Sequence, residues 1–335
     1  MKRIFITGGA GFIGSNLVKK IITEQIDNFK IIVYDNLATV NCGLDNIKQY
    51  IDNNNIVFIN GDILDKELLI KSINGSDIVI HLAAQLEVSK SYNNTEYDIN
   101  INLIGTINVM QACIVCGIKR LINASSACVY GFTDGIPSKE TDATNPNWEY
   151  GISKLAAEKY LQIGSATHGL EITSLRFSIV YGINEWFGRV LTIFVKRSLE
   201  CKDLVIFGDG MQERDYINVE DVCDFILECI YNKNTINKVY NVSSGSGINI
   251  NELAKLITEI FQTNTILYED VPEGGKSILV EGRERLNQEL KYLILDNNKA
   301  IRETNWKPRI NLRQGLETYI EWAKMNLNKW NYYKV

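Results

Sequence analysis

Histidine and proline are scarce in this chain: two histidines, His81 and His168, and four prolines among 335 residues. Two imidazoles cannot build a histidine-rich metal centre. So few prolines leave no Pro-rich linker to divide the chain. The seven cysteines show no framework spacing and their count is odd, so free thiols in a reducing compartment are expected. Cys113 and Cys116 do form a C-x-x-C, but within the apolar stretch GTINVMQACIVCGIKR. Small core residues of a helix are expected there rather than a redox or metal pair. Basic excess is also missing, with 35 Lys and Arg against 40 Asp and Glu and a formal net charge of -5. That balance argues against nucleic acid or an anionic membrane as a main partner. No apolar run reads as a membrane span. The opening MKRIFITGG has two basic residues and a short apolar run, but a Gly-rich turn follows at once with no small-residue cleavage site. It reads as the first strand of a cytoplasmic protein.

What the chain has in quantity is apolar residues, 45% of the total, in short unbroken runs. RIFIT (3–7), KIIVYD (30–35), IVFING (56–61), DIVIHLA (77–83), KRLINAS (119–125) and ITSLRF (172–177) predict parallel strands buried on both faces. Helix-like stretches lie between them, at 12–24, 94–116 and 148–168. The alternation predicts an α/β fold, a Rossmann-type doubly wound parallel sheet over 1–180. A smaller mixed α/β lobe is expected over 181–335, with helices at 188–200, 219–232, 249–262 and 312–328 among short strands. Its boundary is expected to be discontinuous.

Directly after the first strand comes TGGAGFIG, with Gly8, Gly11 and Gly14 spaced G-x-x-G-x-x-G. The first glycine permits the turn, the second lets backbone approach a pyrophosphate, and the third lets helix pack on strand. The diphosphate would sit on free amides at the helix N-terminus. The second strand ends in Asp35, 21 positions beyond Gly14. A carboxylate there binds both adenine-ribose hydroxyls and repels a 2′-phosphate, and no basic residue follows in Asn36–Thr39, so NAD is expected over NADP. A plain strand-end turn is the other reading of Asp35.

Tyr150 and Lys154 in NWEYGISKLAAEKY stand four apart, on one face if the segment is helical. An ammonium at Lys154 would favour phenolate at Tyr150, which could then take a proton from a substrate hydroxyl as hydride leaves the same carbon.

TGGAGFIG, HLAAQ, NASSACVYG, YGISK, LRFSIVYG and FGDGMQERDYINVEDV together resemble the extended short-chain dehydrogenase/reductases. Within them the chain is similar to the NAD-dependent nucleotide-sugar epimerase/dehydratase branch, typified by UDP-glucose 4-epimerase, through the tail NWKPRINLRQGLETYIEW. The resemblance implies that Ser126 hydrogen-bonds the reacting oxygen and relays a proton to Tyr150. It assigns Phe12, Ile13, Asn36, Asp62, Ile63, Leu82, Ala83, Ala84, Gln85, Asn102 and Ser178 to the cofactor, beside the glycines, Asp35, Tyr150 and Lys154. His81 is read as a packing residue. Arg214, with Arg283 or Arg285, would take the nucleotide diphosphate. Family dehydratases carry Asp-Glu directly after the serine, where this chain has Ala127 and Cys128. The resemblance therefore implies a 4-epimerase of a UDP-hexose, and a homodimer formed near 94–116 and 150–165. Two alternatives stand: a 3- or 5-epimerase using the Cys128 thiol, for which Arg189 would be a poor second acid, and a non-catalytic NAD-binding regulator. Leu293 lies where some 4-epimerases close the sugar pocket with tyrosine.

Overall fold

A computed structural model describes residues 2–26, 29–39, 43–51, 56–262 and 265–330. Six strands come first: β1 (Arg3–Thr7), β2 (Lys30–Asp35), β3 (Ile56–Asn60), β4 (Ile78–His81), β5 (Arg120–Ser126) and β6 (Glu171–Phe177). Seven more follow: β7 (Ile179–Tyr181), β8 (Leu204–Phe207), β9 (Glu213–Asn218), β10 (Lys238–Val242), β11 (Gly247–Asn249), β12 (Ile266–Glu269) and β13 (Tyr292–Leu293). The main sheet is all parallel, in the order β10-β6-β5-β4-β1-β2-β3. All seven residues of β5 are buried, as expected for a strand covered on both faces.

The two faces hold separate cores. Ile4 and Ile6 point to one, packed with Leu17 and Ile21 of the helix Phe12–Thr23 and with Val222 and Ile226 of the helix Val219–Tyr231. Phe5 points to the other, with Leu69, Val109 and Leu161 from three further helices. β10 joins this sheet from far along the chain, pairing Lys238 with Thr173 through Val242 with Phe177. The strand order reverses between β1 and β4, so the crevice at their carboxyl ends is where this architecture receives a ligand.

The remaining strands form the second lobe. β9 pairs β7 and β13 in parallel and β11 in antiparallel, while β8 and β12 make a separate parallel pair. Phe194, Leu253, Ile257, Tyr319 and Trp330 fill its core. One helix departs from expectation. Thr95–Val115 is 21 residues long and apolar enough to cross a membrane by length and composition, yet over half of that stretch is buried in the protein, as in a core helix. It is α-helical at Thr95–Asp98, π-helical at Ile99–Ile104, and α-helical again at Gly105–Val115.

Candidate active site

A cavity of about 880 Å³ opens at the carboxyl ends of β1 and β4 and runs between the two lobes. Its dinucleotide end begins with the glycine turn. Gly8 has φ +69°, and a Cβ on it would lie 2.6 Å from the Ala83 nitrogen. A Cβ on Gly14 would lie 2.2 Å from the Gly8 carbonyl oxygen, so neither position admits a side chain. A Cβ on Gly11 would meet only that carbonyl, at 3.2 Å. The helix that follows has Gly11 as N-cap, no side-chain cap and no acidic residue in its first turn. Its amides are thus open to a phosphate. Asp35 lines the same end, held by the amides of Ala10 (3.0 Å) and Leu37 (2.9 Å). Burial raises its pKa and those amides pull it back. These features fit a dinucleotide with an unphosphorylated ribose.

Phe12, Ile13, Asn36, Ile63, Leu82, Ala83, Ala84 and Ser178 also line the cavity. Asp62, Gln85 and Asn102 do not. Asp62 accepts from Asn36 Nδ2 at 2.9 Å and from the Leu64 amide at 2.8 Å. The Asn102 side chain accepts from the Gln85 amide and donates to the Gln85 carbonyl, and both side chains donate to Asp98.

At the centre, β5 delivers Ser126 and the helix Glu149–His168 delivers Tyr150, both lining the cavity. Ser126 stands near enough to the Tyr150 phenol to favour its ionised form, and Ser126 Oγ accepts from the Cys128 amide at 3.2 Å. Lys154 does not reach the cavity wall. Its Nζ donates to the Ala124 carbonyl at 2.9 Å, and burial lowers its pKa to about 8 against the opposing pull of Asp98 and Glu158. The expected lowering at Tyr150 is not seen in the protein alone. Burial raises the phenol's pKa above the ordinary value, with the Cys128 thiol and Asp98 adding to the rise and Ser126 and Arg189 opposing it. Lys154 by itself therefore does not ionise Tyr150.

Ser125, the neighbour of Ser126, hydrogen-bonds Glu158. Glu158 is fully buried and receives Arg176 through Nε (3.0 Å) and Nη2 (2.8 Å). Arg176 also donates to the Tyr130 hydroxyl at 2.9 Å, so these groups brace β5, β6 and the helix. His81 lies between Thr7 Oγ1 (2.7 Å) and Thr106 Oγ1 (3.0 Å). Burial takes its pKa down to about 3, so it is a neutral packing residue.

On the far side, Arg214 from β9 faces the cavity, 3.4 Å from Glu289. Arg283 donates to the Gly188 carbonyl at 2.8 Å and forms no ion pair among the described residues. Burial depresses it to about 10, as for a cation lacking an anion. Arg285 lines the cavity too but is bonded to Glu289 at 3.0 Å. Cys128 and Leu293 line the cavity as well, and burial raises the thiol's pKa, so the neutral form is favoured. Sequence spacing pointed to neither Trp186 nor Tyr216, nor to the setting of Arg189. All three line the cavity, and Arg189 is paired with Glu185 at 2.7 Å and lies 5.4 Å from the Trp186 ring centroid.

The model of the NAD dependent epimerase/dehydratase family matches residues 4–243. The chain belongs to that family. NAD is the cofactor of the family, and the dinucleotide end of the cavity accommodates it. A Methanocaldococcus jannaschii protein named "Putative UDP-glucose 4-epimerase" is 36% identical over 96% of this chain and 99% of its own length. The structure of UDP-glucose 4-epimerase from Thermotoga maritima with UDP-glucose aligns with a TM-score of 0.85 and 32% identity, over 97% of this chain and 99% of that one. UDP-glucuronic acid 4-epimerase from Bacillus cereus, in complex with UDP-glucuronic acid and NAD, aligns at 0.86 with 26% identity over the same shares. This family member is therefore similar along its whole length to nucleotide-sugar enzymes.

Proposed function

We propose that the protein is a nucleotide-sugar 4-epimerase acting on a UDP-hexose. The observation that carries the reading is one cavity that joins an open phosphate turn, Ser126 and Tyr150, and two arginines, Arg214 and Arg283. NAD supplies a hydride acceptor and then a hydride donor when bound. Tyr150 takes the proton of the C4 hydroxyl and later returns one, with Ser126 bridging to the same oxygen. Lys154, fixed on the Ala124 carbonyl, contributes positive charge behind the phenol. Arg214 and Arg283 hold the diphosphate while the sugar ring turns, so that either face of C4 can meet the nicotinamide. Elimination of a hydroxyl needs an acid beside Ser126. Ala127 offers none, and burial raises the pKa of the Cys128 thiol, which makes it a weaker proton donor than a carboxyl group.

Exposed apolar residues on two neighbouring helices support a homodimer. Val115 lies on one; Ile152, Tyr160 and Ile163 share a face of the other. Sedimentation of a monomer at micromolar concentration would exclude it. Cytoplasmic residence is part of the same reading.

Incubating the purified protein with UDP-glucose, UDP-N-acetylglucosamine and UDP-glucuronic acid should give the 4-epimer of at least one, with no net oxidation of NAD. Tyr150→Phe should abolish this. A 4-keto-6-deoxy product would instead assign dehydration. Solvent deuterium at C3 or C5 would assign Cys128 chemistry, because a 4-epimerase recycles its own hydride.

A further inference from the structure

We propose that Lys329 and Trp330 are positioning residues for the cavity, tying its wall segment Ile183–Arg189 to the glycine turn from outside. Their role in turnover rests on the epimerase reading; their hold on the two binding ends does not.

The segment Ile183–Arg189 joins β7 to the helix Val190–Leu199 and contains only turns and irregular backbone. It supplies Trp186, Phe187, Gly188 and Arg189 to the cavity wall. A wall of this kind takes its place from what packs behind it. Two elements stand there. One is the helix Phe12–Thr23, which opens the dinucleotide site. Its Asn16 Nδ2 donates to the Ile183 carbonyl at 2.7 Å, and its Ser15 Oγ accepts from Asn184 Nδ2 at 3.2 Å. The other is the 3₁₀ helix Leu327–Trp330. Trp330 is buried, its ring centroid lies 5.8 Å from that of Phe187, and its Nε1 donates to the Glu185 carbonyl at 3.4 Å. Tyr319 and Trp322 of the helix Leu312–Met325 pack against the same indole, with centroids at 6.0 and 5.8 Å.

Lys329 joins the two lobes. Its Nζ donates to Asn46 Oδ1 at 2.9 Å and to Asn184 Oδ1 at 3.4 Å. Asn46 lies between β2 and β3 and donates through Nδ2 to the Ala10 carbonyl at 3.2 Å. The Ala10 amide in turn holds Asp35. Each asparagine thus spends its oxygen on Lys329 and its nitrogen on the glycine turn or the helix that follows it. One ammonium orients both amides, and through them the turn at the dinucleotide end and the wall that carries Arg189. Removing it leaves both amide oxygens without that donor. Small displacements matter at such a site, since a misplacement of about 1 Å can cost about a hundred-fold in rate.

The test uses the full-length protein loaded with NAD. Lys329→Met keeps an apolar stem of similar length and removes the ammonium. It should speed the exchange of bound NAD for radiolabelled NAD and weaken UDP binding in calorimetry, each by about three- to ten-fold. The KM for the nucleotide sugar should rise by more than kcat falls. Lys329→Arg, which can still donate to both asparagines, should return these values towards wild type. Trp330→Leu loosens the wall alone, so UDP binding should weaken while NAD exchange stays near wild type. A merely structural role would lower the urea midpoint of Lys329→Met and leave NAD exchange and UDP affinity at the wild-type level, and that result overturns the proposal. A Lys329→Met protein unchanged in all three measures overturns it too. If Trp330→Leu does not fold, the two Lys329 variants decide. Faster NAD exchange and weaker UDP binding in a protein that epimerises nothing would sustain the bridge and refute the functional reading.

Discussion

Lys154 should make stability and turnover respond to pH in opposite directions. Its side chain is 5% exposed, and burial lowers its pKa from 10.5 to about 8. An unfolded lysine titrates near 10.4. Between these values the unfolded chain holds a proton that the folded one does not, so stability rises with pH across that window. The cost of burying the ammonium is fully present below pH 8 and is worth about 3 kcal/mol. Methionine at this position carries no proton in either state, so comparing wild type with Lys154→Met cancels every other titration to first order. Nucleotide-free wild type should gain about 3 kcal/mol on the variant between pH 7.5 and 10.5. A chain of 335 residues unfolds with an entropy of about 0.7 kcal/mol/K, so the gain in midpoint is about 4 °C. Urea unfolding at several pH values measures it. Turnover should fall over the same range as the ammonium behind Tyr150 is lost. A stability difference that stays flat from pH 7.5 to 10.5, or shrinks, would refute the assignment of a buried, charged Lys154.

Two further substitutions probe other parts of the argument. Glu158→Gln leaves the Arg176 guanidinium buried without its counter-charge and should cost about 3–5 kcal/mol, read by urea unfolding; a loss under 1 kcal/mol would show that the pair is solvated. Arg283→Met removes the half-buried cation that has no acid partner among the described residues. It should weaken UDP binding by about ten- to a hundred-fold with kcat nearly unchanged, and calorimetry showing unaltered UDP affinity would remove Arg283 from the diphosphate site.

Much of the first lobe was legible in order of residues. Its strands fall within a residue or two of the apolar runs, because a strand covered on both faces must be apolar throughout. The helix carrying Tyr150 and Lys154 runs Glu149–His168 against an expected 148–168. The second lobe was less legible. β13 is two residues long and β9 is the polar run ERDYIN, neither of which has a strand's apolar signature. The return of Lys238–Val242 to the main sheet depends on pairing with Thr173–Phe177, which no local pattern encodes.

At the site the division is sharper. The glycine turn and Asp35 follow from sequence alone, because backbone φ, the room for a Cβ and a carboxylate at a strand end are local properties. The four-residue step from Tyr150 to Lys154 is local in the same way. Which arginine lacks a counter-ion, and why Arg176 braces the core while Arg283 faces the cavity, were decided only in three dimensions. Charge, unlike helix phase, depends on every neighbour within several ångströms and on the water that packing removes. Those neighbours come from segments far apart in the chain.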